Sequence, residues 1–331
     1  MEKLPPIRYL SASDVRRALP MAEAIAAMRQ AFIQLSEGSA LVPPRSCLNV
    51  AGHDSVFLLM PCQSRTQERL AVKCLTFSPS NPSRALPLIQ SLVLLIDAPT
   101  GSPLAILDGA ALTALRTGAA SGVATDVLAR SDAATAAIFG AGVQARTQLE
   151  AVCAVRPVRR ARVFDVQEAL ASRFAHEMAG QLGIEVEPAA TPQAALRDAD
   201  IVCTVSTSRE PIFRDADLRP GTHINAMGVF HPERAEVPPE TVCRSRIVVD
   251  HTQAAHEEAG DLLRPLAAGL IGPECLTTEL GQVLLGQKPG RQNAEEITLF
   301  KSVGVAIQDL CAAACALENA ERLGVGQGLA R

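Results

Sequence analysis

The stretch Ala134 to Ala145, AATAAIFGAGVQA from Ala133 on, constrains this fold more than any other segment of the chain. Ala134 to Phe139 is small, apolar and β-prone, and reads as a buried strand; Val143 to Val155 has helical spacing. Between them stands G-x-G-x-x-A, with glycines at 140 and 142 and Ala145 third. Gly140 permits a tight turn out of the strand, Gly142 lets the backbone approach a pyrophosphate, and Ala145 lets helix and sheet pack closely. The helix would point its first amides at the phosphates. A second strand, Ala161 to Phe164, ends at Asp165, 25 residues after Gly140. That is the spacing at which a carboxylate hydrogen-bonds the adenosine ribose. A lone glycine turn is common; the strand–turn–helix–strand–acid series predicts a dinucleotide site. Asp165 repels a 2′-phosphate, and Val166 and Gln167 supply no cation to hold one. NAD(H) is therefore the preferred cofactor, with NADP(H) possible.

The alternation continues. A helix is expected over Gln167 to Leu182, a short strand at Ile184 to Val186 and a helix at Pro192 to Arg197. Strands follow at Asp200 to Ser206, Thr222 to Met227 and Arg246 to Asp250. Strands alternating with helices through short connections make a doubly wound parallel sheet of the Rossmann type. The first hundred residues differ. Asp14 to Leu19, capped by Ser11 or Ser13, and Met21 to Ser36 read as helices. Ser55 to Met60, Leu70 to Thr76, Leu88 to Ile96 and Pro103 to Leu107 read as strands, and Ala110 to Leu128 as a helix. Ile297 to Leu323 reads as one long helix that returns to pack on this first part. The expected class is α/β: a Rossmann-type domain over about 116–304, and an α+β domain made of 1–115 plus about 305–331.

Composition removes several function classes. With 31 Lys+Arg against 35 Asp+Glu, no Trp and 3% aromatics, the chain lacks the basic surface and stacking platforms of a nucleic-acid binder. The most apolar run, Ser91 to Ile96, is strand-sized, so no membrane partner is expected. MEKLPPIRYL lacks the basic-then-apolar pattern of a secretory signal, which points to the cytoplasm. None of the nine cysteines forms a CxxC pair, so reduced thiols in the core are expected. His251 and His256 are five residues apart, off one helical face, and no metal site is expected. Ser206 and Ser208 lie outside any GxSxG elbow, and Glu233 to Glu236 reads as a solvated turn.

Three cations stand in unusual settings. Arg45 follows two prolines, Lys73 interrupts the apolar strand LAVKCLTF, and Arg116 sits among small residues in LTALRTGAAS with no acid within one turn. Each alone suits a snorkelling surface cation. Together, buried without a local acid, they suit an external carboxylate gripped by the guanidinium forks.

With DGAALTALRTGAASGVATDVLA, FGAGVQA, INAMG and FKSVGVAIQDL in place, the chain resembles the ornithine cyclodeaminase/μ-crystallin family from the VPPR segment to the last helix. The resemblance implies that the α+β domain binds substrate and forms a homodimer, and that Arg45, Lys73 and Arg116 hold the substrate carboxylate. It implies that Arg116, Thr117, Val143, Gln144, Asp165, Ser206, Met227, Gly228 and Ser302 line the nicotinamide cofactor beside Gly140 and Gly142, and that Val303 lines the substrate pocket. Leu88 departs from the Thr or Ser that many members carry near the cofactor.

One departure bears on the reaction. Cyclodeaminases of this family place a catalytic aspartate two residues after INAxG; here Phe230 stands there. Phenylalanine cannot serve as acid or base, but it can pack on the methylenes of a small ring. The resemblance then implies a ketimine reductase, reducing Δ1-pyrroline-2-carboxylate and Δ1-piperideine-2-carboxylate to L-proline and L-pipecolate. The proton for the ring nitrogen would come from Lys73, from His231 or from water. Alternatives are an ornithine cyclodeaminase, an alanine dehydrogenase-type enzyme, and a non-catalytic small-molecule binding protein like μ-crystallin.

Overall fold

Short apolar and β-branched runs pair into two separate sheets in the computed structural model, which describes residues 5–330. The strands are β1 (Ile7–Leu10), β2 (Ala40–Leu41), β3 (Ser46–Asn49), β4 (Val56–Ser64), β5 (Arg69–Phe77), β6 (Ile89–Asp97) and β7 (Pro103–Asp108). They continue with β8 (Thr135–Phe139), β9 (Arg160–Phe164), β10 (Glu185–Pro188), β11 (Ile201–Thr204), β12 (His223–Ala226), β13 (Ser245–Val249), β14 (Ile297–Lys301) and β15 (Gln327–Leu329). Residues up to Arg116, with those from Val305 on, form one unit; Thr117–Gly304 form the other.

In the first unit the sheet runs β15-β1-β7-β6-β5-β4-β2, with β3 paired to β4. Ser11, rather than Ser13, caps the helix Ala12–Ala18: its hydroxyl accepts from Asp14 N, and the Asp14 side chain accepts from Ser11 N. The helix Ala306–Leu323 lies on β4, β5 and β6, with Met21–Ser36 packed beside it. Strand alternation sends Met60, Ala71, Lys73, Val93 and Leu95 to the buried face. The opposite face carries Leu59, Leu70, Val72, Leu92, Leu94, Ile96 and Ile106, all at least partly exposed. Val72 pairs with Leu94 and Leu94 with Ile106, so this apolar surface is continuous across three strands.

The second unit is the doubly wound sheet. Its seven strands are all parallel, in the order β10-β9-β8-β11-β12-β14-β13. The strand order reverses between β8 and β11, and open α/β sheets bind their ligands beyond the carboxyl ends of the strands at such a point.

Two expectations need correction. Ile297 to Leu323 is not one helix: Ile297–Lys301 is β14, inserted between β12 and β13, and the helix starts only at Ala306. All five residues of β14 are buried, Thr298 and Lys301 included, and so short a run without polar alternation has no periodicity to separate strand from helix. Gly304, at φ +81°, breaks the chain between them. The thiols are also not all internal. Cys62, Cys203 and Cys311 are buried, but Cys47 and Cys243 are exposed.

Candidate active site

The glycine turn is built from two different requirements. Gly140 takes φ +97°, and a Cβ there would stand 2.8 Å from the Val205 carbonyl oxygen, so both conformation and packing demand glycine. Gly142 is extended at φ −78°, and a Cβ there would meet nothing within 4 Å. No neighbouring atom requires glycine at 142; what its lack of a side chain leaves clear is the N-terminus of the helix Val143–Val155. That terminus has no side-chain cap, so its first-turn amides remain for an anionic ligand. Beside it Val143 is exposed, and Gln144 Oε1 is buried with no hydrogen-bond partner among the described residues. A dinucleotide fits such a cradle.

Asp165 follows the last residue of β9. Its Oδ2 accepts from Ala141 N at 2.8 Å and its Oδ1 from Gln167 N at 2.9 Å. The carboxylate therefore braces the glycine turn. The neighbouring Val166 is exposed and brings no cation.

The remaining residues expected at the cofactor lie where β11, β12 and β14 end. Ser206 N and Gly228 N both donate to Glu236, and Met227 N donates to the Thr204 carbonyl. Ser302 Oγ, Val303 N and Gly304 N all donate to Asp250 Oδ2, at 2.6, 3.0 and 2.8 Å. Ser302 thus spends its proton on Asp250. Val303 packs against the core of this unit. Thr117 is buried, and its carbonyl accepts from Gln148 Nε2 at 3.3 Å. Glu236 corrects the expectation of a solvated turn over Glu233 to Glu236: it is fully buried, because the segment folds in against the strand ends. Phe230 is 51% exposed in the loop after β12, and the exposed His231 accepts from Glu233 N at 3.3 Å through Nδ1.

The first unit holds the cations. Lys73, on the buried face of β5, is only 3% exposed, and its Nζ donates to Asp309 Oδ2 at 2.7 Å. Arg116 Nε donates to Asp309 Oδ1 at 3.2 Å, and Arg116 Nη1 to Gln308 Oε1 at 2.7 Å. The cations lack an acid nearby in sequence, as expected, but not in space. Their counter-ion is Asp309, 236 residues beyond Lys73, in the first turn of the helix Ala306–Leu323, where the helix dipole favours negative charge. Arg45, just before β3, is partly exposed, and its charge reaches Lys73. Lys73 and Arg116 share the single carboxylate of Asp309, which leaves surplus positive charge suited to an incoming anion.

The electrostatics follow from that arrangement. Burial pulls the Lys73 ammonium down to about 8, against the opposing pull of Asp309 and with help from Arg116 and Arg45. Burial alone would raise Asp309, but Lys73 and Arg116 hold it below the usual carboxylate value. Lys73 is thus a cation able to release a proton near neutral pH. Asp309 and Gln308 were missed in the sequence, although they stand in FKSVGVAIQDL. The signal available was an acid directly before Leu310 to Leu317, eight apolar residues in a row that mark this part of the helix for burial.

A family model described as the ornithine cyclodeaminase/mu-crystallin family matches residues 8–323. A Δ1-pyrroline-2-carboxylate reductase of Bacillus cereus is 37% identical over 318 residues, covering 96% of this chain and 98% of its own. The solved structure of Thermococcus litoralis Δ1-pyrroline-2-carboxylate reductase, in complex with NADH and L-proline, is 42% identical. It superposes with a TM-score of 0.93 over 98% of this chain and 100% of its own. An archaeal alanine dehydrogenase dimer with bound NAD is 33% identical, with a TM-score of 0.91 over 98% of both chains. The glycine turn, the parallel sheet that carries it and the match along nearly the whole length agree: the chain belongs to the ornithine cyclodeaminase/mu-crystallin family.

Proposed function

We propose that this protein is an NAD(H)-dependent reductase of cyclic 2-imino acids, taking Δ1-pyrroline-2-carboxylate to L-proline and Δ1-piperideine-2-carboxylate to L-pipecolate. NADP(H) is the poorer cofactor. The observation that carries this reading is the buried Lys73–Asp309–Arg116 cluster, which joins an anion-binding charge to a lysine titrating near 8.

Arg45 and Arg116 receive the substrate carboxylate, with the Arg116 guanidinium held in orientation by Asp309 and Gln308. Lys73 faces the same anion and donates a proton from its ammonium to the ring nitrogen; Asp309 holds that ammonium in place. Bound reduced nicotinamide supplies the hydride that the imine carbon accepts, so the C=N bond becomes CH–NH with one hydride and one proton. Gly140, Gly142, Val143, Gln144 and Asp165 hold the dinucleotide from the glycine turn. Ser206, Met227, Gly228 and Ser302 hold it from the adjoining strand ends, and Thr117 from the helix Gly109–Leu128. Phe230 offers an apolar ring where a cyclodeaminase needs a carboxylate, and with Val303 it takes the ring methylenes. That replacement favours reduction over deamination.

The homodimer forms through the open face of the first sheet. Leu59, Val72, Leu92, Leu94 and Ile106 make an apolar surface of the kind that marks an association site, and the similar alanine dehydrogenase is a dimer. We place the enzyme in the cytoplasm, consistent with nine unpaired thiols; among the described residues no helix is long and apolar enough to cross a membrane.

The test is NADH oxidation at 340 nm on addition of Δ1-pyrroline-2-carboxylate, with L-proline identified as product. NAD-dependent oxidation of L-alanine without imine reduction would assign the chain to the alanine dehydrogenase activity instead. Ammonia release from ornithine would assign it to the cyclodeaminases, and NADH binding without turnover to a binding protein.

A further inference from the structure

Beyond the ends of β11 and β12 lies a buried carboxylate that none of the chemistry above uses. Glu236 is fully buried, and its two oxygens are shared among three donors. Oε1 accepts from Ser206 N at 2.6 Å; Oε2 accepts from Gly228 N at 2.9 Å and from Thr204 Oγ1 at 3.0 Å. One side chain thus ties together the ends of two adjacent parallel strands at the crevice edge of the sheet. The fit is close: a Cβ at Gly228 would lie 2.4 Å from Glu236 Oε2 and 2.6 Å from Oε1. Glycine at 228 is needed because the carboxylate occupies that space.

The charges that face Glu236 are known. Asp261, from the helix Gly260–Ala267, accepts from Glu236 N at 2.6 Å and Val237 N at 3.0 Å through Oδ1. Lys301, at the end of β14, pairs with Asp261 Oδ2 at 2.7 Å and donates to the Val229 carbonyl at 2.6 Å. All three ionisable groups are wholly buried. Two carboxylates therefore share one ammonium, and Glu236 makes its own hydrogen bonds to backbone and hydroxyl rather than to that ammonium.

We propose that Glu236 is a positioning residue for the cofactor site: its ionised carboxylate holds the turns after β11 and β12 in the shape that receives the dinucleotide. This rests on the dinucleotide-binding reading above. The ionised form can accept all three hydrogen bonds. A proton on Oε1 faces Ser206 N and breaks that bond, whereas a proton on Oε2 turns to Thr204 Oγ1 as acceptor and leaves a neutral oxygen that accepts more weakly from Gly228 N; either way the hold on these amides loosens. Burial, followed by the charge of Asp261, pushes the Glu236 carboxyl up to about 7, so this change falls within the working range of pH. Ser206 and Gly228 are two of the residues placed at the cofactor, and proton uptake at Glu236 loosens both.

The experiment is a fluorescence titration of the full-length protein with NADH alone, from pH 6 to 9. The wild-type Kd should be constant above about pH 8 and rise below about pH 7, by up to about tenfold per pH unit. Glu236→Gln should bind about tenfold more weakly at pH 8 and lose the pH dependence. Thr204→Val keeps the charge but removes one donor to it, so the midpoint of the profile should move to higher pH. This second variant decides the matter where Glu236→Gln does not fold. A flat wild-type profile, a Glu236→Gln protein with wild-type affinity and pH dependence, or an unmoved midpoint in Thr204→Val overturns the proposal. A wild-type protein that binds no NADH at any pH overturns the dinucleotide reading itself.

Discussion

Replacing Asp309 by asparagine removes the one negative charge within the cation cluster while nearly preserving its shape. Lys73 sits at about 8 because burial depresses it and Asp309, 2.7 Å away, partly restores it. An opposite charge at that range supports a protonated group by about one to three pH units, so Lys73 in the variant falls to about 5–7. With a fall of about two units, the protonated fraction at pH 7.5 drops from roughly three quarters to about 3%. If Lys73 delivers the proton, kcat at pH 7.5 falls about 25-fold, and most of it returns near pH 6. The wild type should lose kcat/KM above about pH 8, and Asp309→Asn should lose it from about pH 6. KM for the imino acid changes as well, since Arg116 loses the partner of its Nε. Breaking a buried pair also costs about 3–5 kcal/mol of stability, measurable by urea unfolding, so the assays belong well below the melting temperature. A loss of kcat of equal size at pH 6 and 8.5, or an alkaline limb that stays near 8 in the variant, would refute the assignment of the proton to Lys73.

Three further outcomes are expected. Lys73→Arg keeps a cation but cannot release a proton at neutral pH, so kcat falls about 100-fold or more while KM changes modestly; steady-state kinetics with retained NADH binding check this. Asp165→Ser removes the charge that repels a 2′-phosphate, and the preference for NADH over NADPH in kcat/KM narrows about tenfold; an unchanged ratio contradicts the role of that carboxylate. Leu94→Arg puts an unpaired charge on the open sheet face, and sedimentation should show a dimer for the wild type and a monomer for the variant.

The parallel sheet and its glycine turn were legible because their signals are local. Phe139, Gly140, Gly142 and Ala145 lie within seven residues, and each has a backbone or packing reason to be what it is. The helix Val143–Val155 has the bounds that periodicity alone indicates. β14 was not legible, since a strand buried on both faces leaves no alternation to read. Short pieces such as β15, at the sheet edge, and β1, beside it, were missed for a related reason: three or four residues become strands only because a partner is present, as Ile7 finds Leu329.

What the sequence by itself determined was local: a glycine turn and an acid spaced as a dinucleotide site requires, and three cations in unusual settings, while Phe230 gained its meaning from the family resemblance. The turn and its acid follow from residue type and close spacing, which survive whatever the rest of the chain does. What only the tertiary structure decided was how those charges are balanced. Asp309 meets Lys73 and Arg116 from 236 and 193 residues away, and Glu236, in a segment that looks solvated, is buried against Ser206 and Gly228. Burial and partnership set whether a lysine carries its proton or can give it up. Both are properties of contacts between distant segments, and no spacing along the chain encodes them.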